Sequence, residues 1–357
     1  MIRKIKYRLL AYFIVLSTIS NPHNLIGQDN HYYYVNTYEL NSQDNYYDIY
    51  LKSIDLNDRS IQHIIRLGER GYISLKKPVL INIVGQKYLL SFSENGGFGK
   101  NSEMGLYTVY YSILLANDTL ALIRSDSIPN ATITILRQYP FEESFRFGLS
   151  SVVDHTQILP ESEYSLNTNL NFRKLRGFDP SREPGGLRDI DGFEFLDRFT
   201  VPNLQNLFYS MRDSEYWILR LDSTANEILD SRILQMRESA SIIFAFHPIR
   251  NKIYCFYLNF EQHGKFPEYE KNYGDHWITP EVLIYDPTTF ELLETQEIND
   301  FTPENYPSVE SGLADVVGDF IVYYFFDDEW MGKFYPAMLL IFDTRTNETT
   351  WLRVGWR

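Results

Sequence analysis

Four times along the chain an apolar run ends in an aspartate, a turn of about four residues follows, and a second run begins. The copies are Tyr50-Leu51-Lys52-Ser53-Ile54-Asp55, Trp217-Ile218-Leu219-Arg220-Leu221-Asp222, Val282-Leu283-Ile284-Tyr285-Asp286 and Leu339-Leu340-Ile341-Phe342-Asp343. An Asp at the start of a turn accepts hydrogen bonds from backbone N–H groups two residues on, and a residue tolerant of positive φ is useful near the turn's end. Asn226 and Asn347 hold that place, four residues beyond their Asp. Asp286 to Asp343 is 57 residues, Asp222 to Asp286 is 64, and Asp55 to Asp222 is 167. The last interval is close to three periods of ~56, so two copies lack their Asp. One falls on the hairpin Tyr110 to Ile123, turning at Asn117-Asp118, and the other near Asn167-Thr168-Asn169. Six units of ~55 residues then fill the chain, a length that suits four antiparallel strands each.

The rest of the sequence agrees with an all-β reading. Helical periodicity is scarce, whereas runs of Tyr, Phe, Ile, Val and Leu bounded by Asn, Asp, Gly and Pro recur, as in Lys87 to Ser93, Ile242 to Phe246 and Phe320 to Phe326. No Pro/Gly/Ser-rich linker divides the chain, so residues 28–357 are expected to form one domain.

This pattern resembles the six- and seven-bladed β-propellers of the TolB and NHL type, whose repeats carry a strand, an Asp, a short Thr-containing turn and another strand. The stretch Leu283-Ile284-Tyr285-Asp286-Pro287-Thr288-Thr289-Phe290-Glu291-Leu292 is most similar to them. The resemblance implies a propeller, here of six blades, each a four-stranded antiparallel sheet. Two departures keep an irregular stacked β-sandwich or a two-domain β protein as alternatives: the glycine usual in that turn is absent from all four copies, and residues 125–200 match poorly.

The amino terminus reads as an address. Arg3, Lys4, Lys6 and Arg8 precede an apolar run from Leu9 to Ile19, which as a helix spans only ~17 Å, about half of a hydrocarbon core. Residues 1–27 are therefore expected to be a signal peptide, cleaved after Gly27 or after Ser20, rather than an uncleaved anchor. The product would be periplasmic or secreted, with no stable membrane insertion after cleavage. Cys255 is the only cysteine, so no internal disulfide can form and no cysteine follows the apolar run for lipid attachment. The net charge is −14, and loss of residues 1–27, which hold four cations and no anion, lowers it by four to −18. Nucleic acid and anionic lipid select for a basic footprint and are excluded as expected partners. An extracytoplasmic saccharide, peptide or protein remains. The 27 Tyr and 24 Phe fill sheets and also supply flat surfaces on which sugar rings stack.

In an up-and-down sheet successive connections alternate between the two ends, so the loops before and after the Asp-ending strand lie at opposite ends. The Asp turns are short and uniform. The preceding loops are long and varied: Glu94 to Lys100, Glu261 through Trp277, and Asp327 to Lys333. Loops on a rigid scaffold are where binding residues concentrate. The candidate ligand-binding residues are Phe98, Glu261, His263, Asp275, His276, Trp277, Asp327, Asp328, Glu329 and Trp330, with Tyr269 and Tyr273 beside them. Aromatic platforms flanked by carboxylates can stack on a sugar and accept from its hydroxyls; they equally suit a protein-binding rim or a solvated edge.

A second region, Arg173 to Glu194, reads as an insertion loop rich in Gly and Pro. Asp189-Ile190-Asp191-Gly192 echoes a calcium loop without its further ligands, so Asp189 and Asp191 are weak metal candidates beside a plain solvated turn. Arg173, Arg176, Arg182 and Arg188 can bind a carboxylate or phosphate, or pair with acidic neighbours. His263 and His276 share a loop but make a poor zinc pair on spacing alone. Phosphate-binding loops, Gly-x-Ser-x-Gly elbows, His-Glu-x-x-His and paired Cys motifs are all missing, and no cofactor is expected. The expected function is a non-catalytic binding or scaffold protein; the alternative is a glycoside hydrolase or lyase using two carboxylates about 5 to 10 Å apart on the loop-rich face.

Overall fold

The computed structural model describes residues 31–41, 46–70, 73–75, 78–95, 108–117, 120–129, 131–137, 146–153, 157–158, 162–167, 169–177, 193–201, 204–212, 215–221, 227–234, 239–261, 277–298, 312–325, 328–330, 333–335 and 337–355. Among these every regular element is a strand, and every pairing is antiparallel. Two compact units are present. One is His31–Asp179 together with Val354–Arg357; Pro180–Arg353 belongs to the other.

The first unit opens with β1 (Tyr32–Asn41), β2 (Tyr46–Asp55) and β3 (Ser60–Arg70), paired in that order. Next come β4 (Ile73–Leu75), β5 (Val79–Ile83), β6 (Gln86–Asn95), β7 (Thr108–Leu115) and β8 (Leu122–Pro129). Here β4 and β5 share one edge of β6, so five strands fill four places. The third sheet holds β9 (Ala131–Arg137), β10 (Arg146–Val153), β12 (Ser162–Leu166) and β13 (Phe172–Gly177), with the two-residue β11 (Gln157–Ile158) folded back onto β10. Residues 173–177 are thus strand, not the start of an insertion loop as the Gly/Pro content suggests. Ladder pairing with β12, Arg173 to Ser165 and Arg176 to Glu163, captures them.

Three meanders make up the second unit. They are β14 (Glu194–Val201), β15 (Leu204–Arg212), β16 (Glu215–Leu221) and β17 (Ile228–Ile233), then β18 (Ser239–His247), β19 (Lys252–Glu261), β20 (Trp277–Tyr285) and β21 (Leu292–Glu297). The last combines β22 (Gly312–Val317), β23 (Phe320–Phe325), β26 (Met338–Asp343) and β27 (Glu348–Arg353); a separate hairpin, β24 (Asp328–Trp330) with β25 (Lys333–Tyr335), rises from the connection between β23 and β26.

The middle strands of a meander are covered on both faces, and their sequences read accordingly. All six residues of β23 and all six of β26 are buried, whereas the outer strand β21, Leu-Leu-Glu-Thr-Gln-Glu, is exposed almost throughout. Phe256 packs edge-on against Phe325 at 4.9 Å and lies 5.5 Å from Tyr323, joining the sheet of β18–β21 to that of β22–β27. Burying such a ring contributes about 2–3 kcal/mol. Cys255 is fully buried, and burial pushes its thiol well up, which fits an inert core side chain.

The repeated turns behave as their chemistry requires. Asp55 accepts from the N–H groups of Asn57 and Asp58 at 2.9 and 3.2 Å, Asp286 from Thr288 and Thr289 at 2.8 Å each, and Asp343 from Arg345 at 2.9 Å. Those bonds hold the Asp286 carboxyl below its usual range. In the degenerate third sheet Asn167 does the same work, its amide oxygen accepting from Asn169 and Asn171 at 2.9 and 3.0 Å. The fourth residue beyond each Asp has positive φ: +53° at Arg59, +56° at Phe290 and +59° at Asn347. Asn was expected there. Arg and Phe also serve, and Phe290 offsets the strain by being buried. The Asp222 turn, with Asn226, lies outside the described residues.

At the Asp-turn end of the second unit, charged and polar side chains bolt two sheets together. Arg250, in the turn after β18, donates to Asp319 Oδ1 at 2.9 Å and to Thr344 Oγ1 at 3.3 Å, on two turns of the next sheet. Its backbone N–H donates to Nδ1 of the fully buried His247 at 3.2 Å, and Thr344 Oγ1, 3.5 Å from His247 Nε2, donates to the Asp319 carbonyl at 2.7 Å. The pattern assigns His247 as the neutral Nε2–H tautomer.

Candidate functional site

Because the bolt joins like ends of neighbouring sheets, the opposite ends of those two sheets also lie together. That end carries the connection from β19 to β20 and the connection from β23 to β26. Each is the link between the second and third strands of its meander, the place sequence reasoning assigned to them. In the first unit the same place is held by residues 96–107, between β6 and β7, and by residues 154–161, which include β11. The last of these escaped the sequence reading, since β11 has only two residues and no apolar run to announce it.

Among the candidate residues, Glu261 closes β19 and Trp277 opens β20, and they are direct partners across the ladder. The loop therefore leaves and returns through adjacent backbone positions, one a carboxylate residue and one a tryptophan. Asp328, Glu329 and Trp330 constitute β24, opposite Tyr335, Phe334 and Lys333 of β25. Two acidic residues and a tryptophan are thus paired with two aromatic residues and a lysine in a hairpin that forms its own two-stranded sheet. Phe98, His263, Asp275, His276 and Asp327 lie outside the described residues, as do Tyr269, Tyr273, Asp189, Asp191, Arg182 and Arg188. No group of three or more His, Cys, Asp or Glu among the described residues is placed to hold a metal ion. Glu94, the first residue of its predicted loop, belongs instead to β6, where its carboxylate accepts the Ile133 N–H of the neighbouring sheet.

The β14–β17 sheet carries an arrangement that sequence reasoning missed. Its second-to-third connection is only two residues long, and the residues on either side of it, Arg212 and Glu215, are partners across the ladder. The Arg212 guanidinium lies 4.1 Å from the centre of the Phe193 ring and 4.9 Å from that of Trp217, and the two rings meet edge-on at 5.5 Å and 76°. Phe193 is buried against Leu219 and Leu221, so the rings belong to the core and the cation caps it. Trp217 was visible only as part of an Asp-ending strand; that Phe193, 24 residues earlier, would stand beside it depends on the ladder and on no local motif.

A succession of four-stranded up-and-down sheets is the blade organisation of a β-propeller, and this is the class of protein the fold defines. No protein-family profile matches the chain, and no curated protein matches it. Among solved structures it is similar to the β-propeller domain of the Trilobed protease from Pyrococcus furiosus, at 12% identity over 79% of this chain and 71% of that one with a TM-score of 0.29. TolB from Acinetobacter baumannii matches at 10% identity over 97% and 79% with a TM-score of 0.30. An α-L-arabinofuranosidase from Clostridium thermocellum matches at 10% over 79% and 94% with a TM-score of 0.35. These likenesses carry no argument about activity, and the fold rests on the sheets themselves. No helix among the described residues is long and apolar enough to cross a membrane.

Proposed function

We propose that this is an exported, non-catalytic binding or scaffold protein, a single six-bladed propeller of the TolB/NHL kind over residues 28–357, released by cleavage of residues 1–27. Its loop-rich face takes an extracytoplasmic saccharide, peptide or protein. One observation carries the reading: the long connections of the β18–β21 and β22–β27 sheets leave the same end of the second unit, with the Glu261–Trp277 pair at the root of one and the β24–β25 hairpin in the other. Such connections are free to vary in sequence because the sheets beneath them fix the ends. Aromatic and acidic residues together suit stacking on a sugar and accepting from its hydroxyls.

The test is a glycan and peptide binding screen on the chain from Gln28 onward, repeated with Trp277→Ala and Trp330→Ala. A ligand bound by the native protein should lose about tenfold or more in affinity on removal of a stacking indole. Undiminished binding by both variants would falsify the assignment of this face.

A further inference from the structure

We infer that the β15–β16 end of the β14–β17 sheet recognises a carboxylate through Arg212, so that the ligand of the proposed face is an acidic saccharide; the inference rests on that reading of the face. The ordinary fate of an arginine in an acidic chain is a local ion pair. Arg66 takes Asp48 at 2.6 Å, Arg124 takes Asp126 at 3.0 Å, Arg250 takes Asp319 at 2.9 Å and Arg345 takes Asp343 at 2.7 Å. Arg212 departs from this. Glu215 is its direct partner across the ladder and is exposed, yet no ion pair joins them among the described residues. The guanidinium lies on Phe193 and Trp217 instead.

The two rings hold the guanidinium in place, and its N–H groups make no hydrogen bond or ion pair to any described residue. Arg212, the last residue of β15 before the connection to β16, is only half-buried. Beneath it on the same sheet face, the fully buried Ser210 hydroxyl and the Trp217 indole N–H have no partner among the described residues. Every polar group of this cluster can donate, and no carboxylate among the described residues answers the charge. A rigid fork of donors of this kind matches two coplanar oxygens, and a sugar acid supplies them on a ring that the neighbouring aromatic residues can also contact.

The experiment compares uronic acid oligosaccharides with their carboxyl-reduced counterparts of equal length, by calorimetric titration at low and high salt. The native protein should bind the acidic series at least tenfold tighter, with the margin shrinking as salt rises. Arg212→Gln should erase the margin while leaving neutral binding. Arg212→Lys, which keeps the charge and the stem but not the planar fork, should lose about tenfold toward the acidic series with an unchanged melting temperature. Equal binding of the two series, or a margin that survives Arg212→Gln, sinks the inference alone. A peptide bound with no saccharide also sinks it and leaves the face assignment standing; binding of nothing sinks both.

Discussion

His247 shows how far one buried side chain can tie stability to pH. Burial and the nearby Arg250 cation lower its pKa from 6.5 to about 4, with Asp319 opposing; Thr344 and the Tyr254 ring, 6.1 Å away, complete its surroundings. The folded state therefore holds the neutral ring while the unfolded chain takes up a proton below about 6.5. Stability from this site is complete above about pH 6.5, falls as pH drops, and is lost by about pH 4, a change of about 3 kcal/mol. Urea unfolding of the native protein and of His247→Gln at pH 7, 5.5 and 4.5 checks this. The variant should be weaker at pH 7 and show a shallower fall. A parallel fall in both would assign the acid sensitivity to other groups.

At the scale of the element, the turns decide what is readable. The Asp-ended strands announced themselves because one carboxylate and two backbone N–H groups make a local structure that needs nothing from the rest of the chain. The third sheet was legible only in outline. Asn167 supplies the same acceptor as Asp, and the repeat persists in geometry after it has faded in sequence. Strand residues Arg173 to Gly177 were misread for the complementary reason, that pairing with β12 overrides a polar composition. The Arg212 cluster was invisible, since its parts come from three strands or their flanks and meet only through register. A turn also offers the clearest gain. Val84 has φ +51° and Gly85 +76° in the two-residue connection between β5 and β6, and Val84 is 84% exposed. That turn wants Asn-Gly, and a β-branched residue there is strained. Val84→Asn should raise unfolding stability by about 1 kcal/mol in urea titration, and a loss would mean the strain is not there.

For the whole molecule, the two units differ in how the chain enters them. The second is one continuous stretch of the described chain, whereas the first is left after Asp179 and regained at Val354. Lys52, almost wholly buried, donates from Nζ to the Val354 carbonyl at 2.7 Å, and burial lowers its pKa despite the opposing pull of Glu39. Ending the chain at Arg353 removes that acceptor. The truncation should cost about 1–3 kcal/mol more in the native background than in Lys52→Met, read as the coupling in a double-mutant cycle of urea midpoints. Equal costs would mean that the bond contributes nothing.

That single bond spans 302 residues. A ribosome adding about 5–20 residues per second completes that interval in about 15 to 60 seconds. Through all of it the three strands of β1–β3 exist without the carbonyl to which their lysine donates. Of the described sheets, β1–β3 is thus the first to be synthesised, yet its buried lysine gains its acceptor only when Val354 is made.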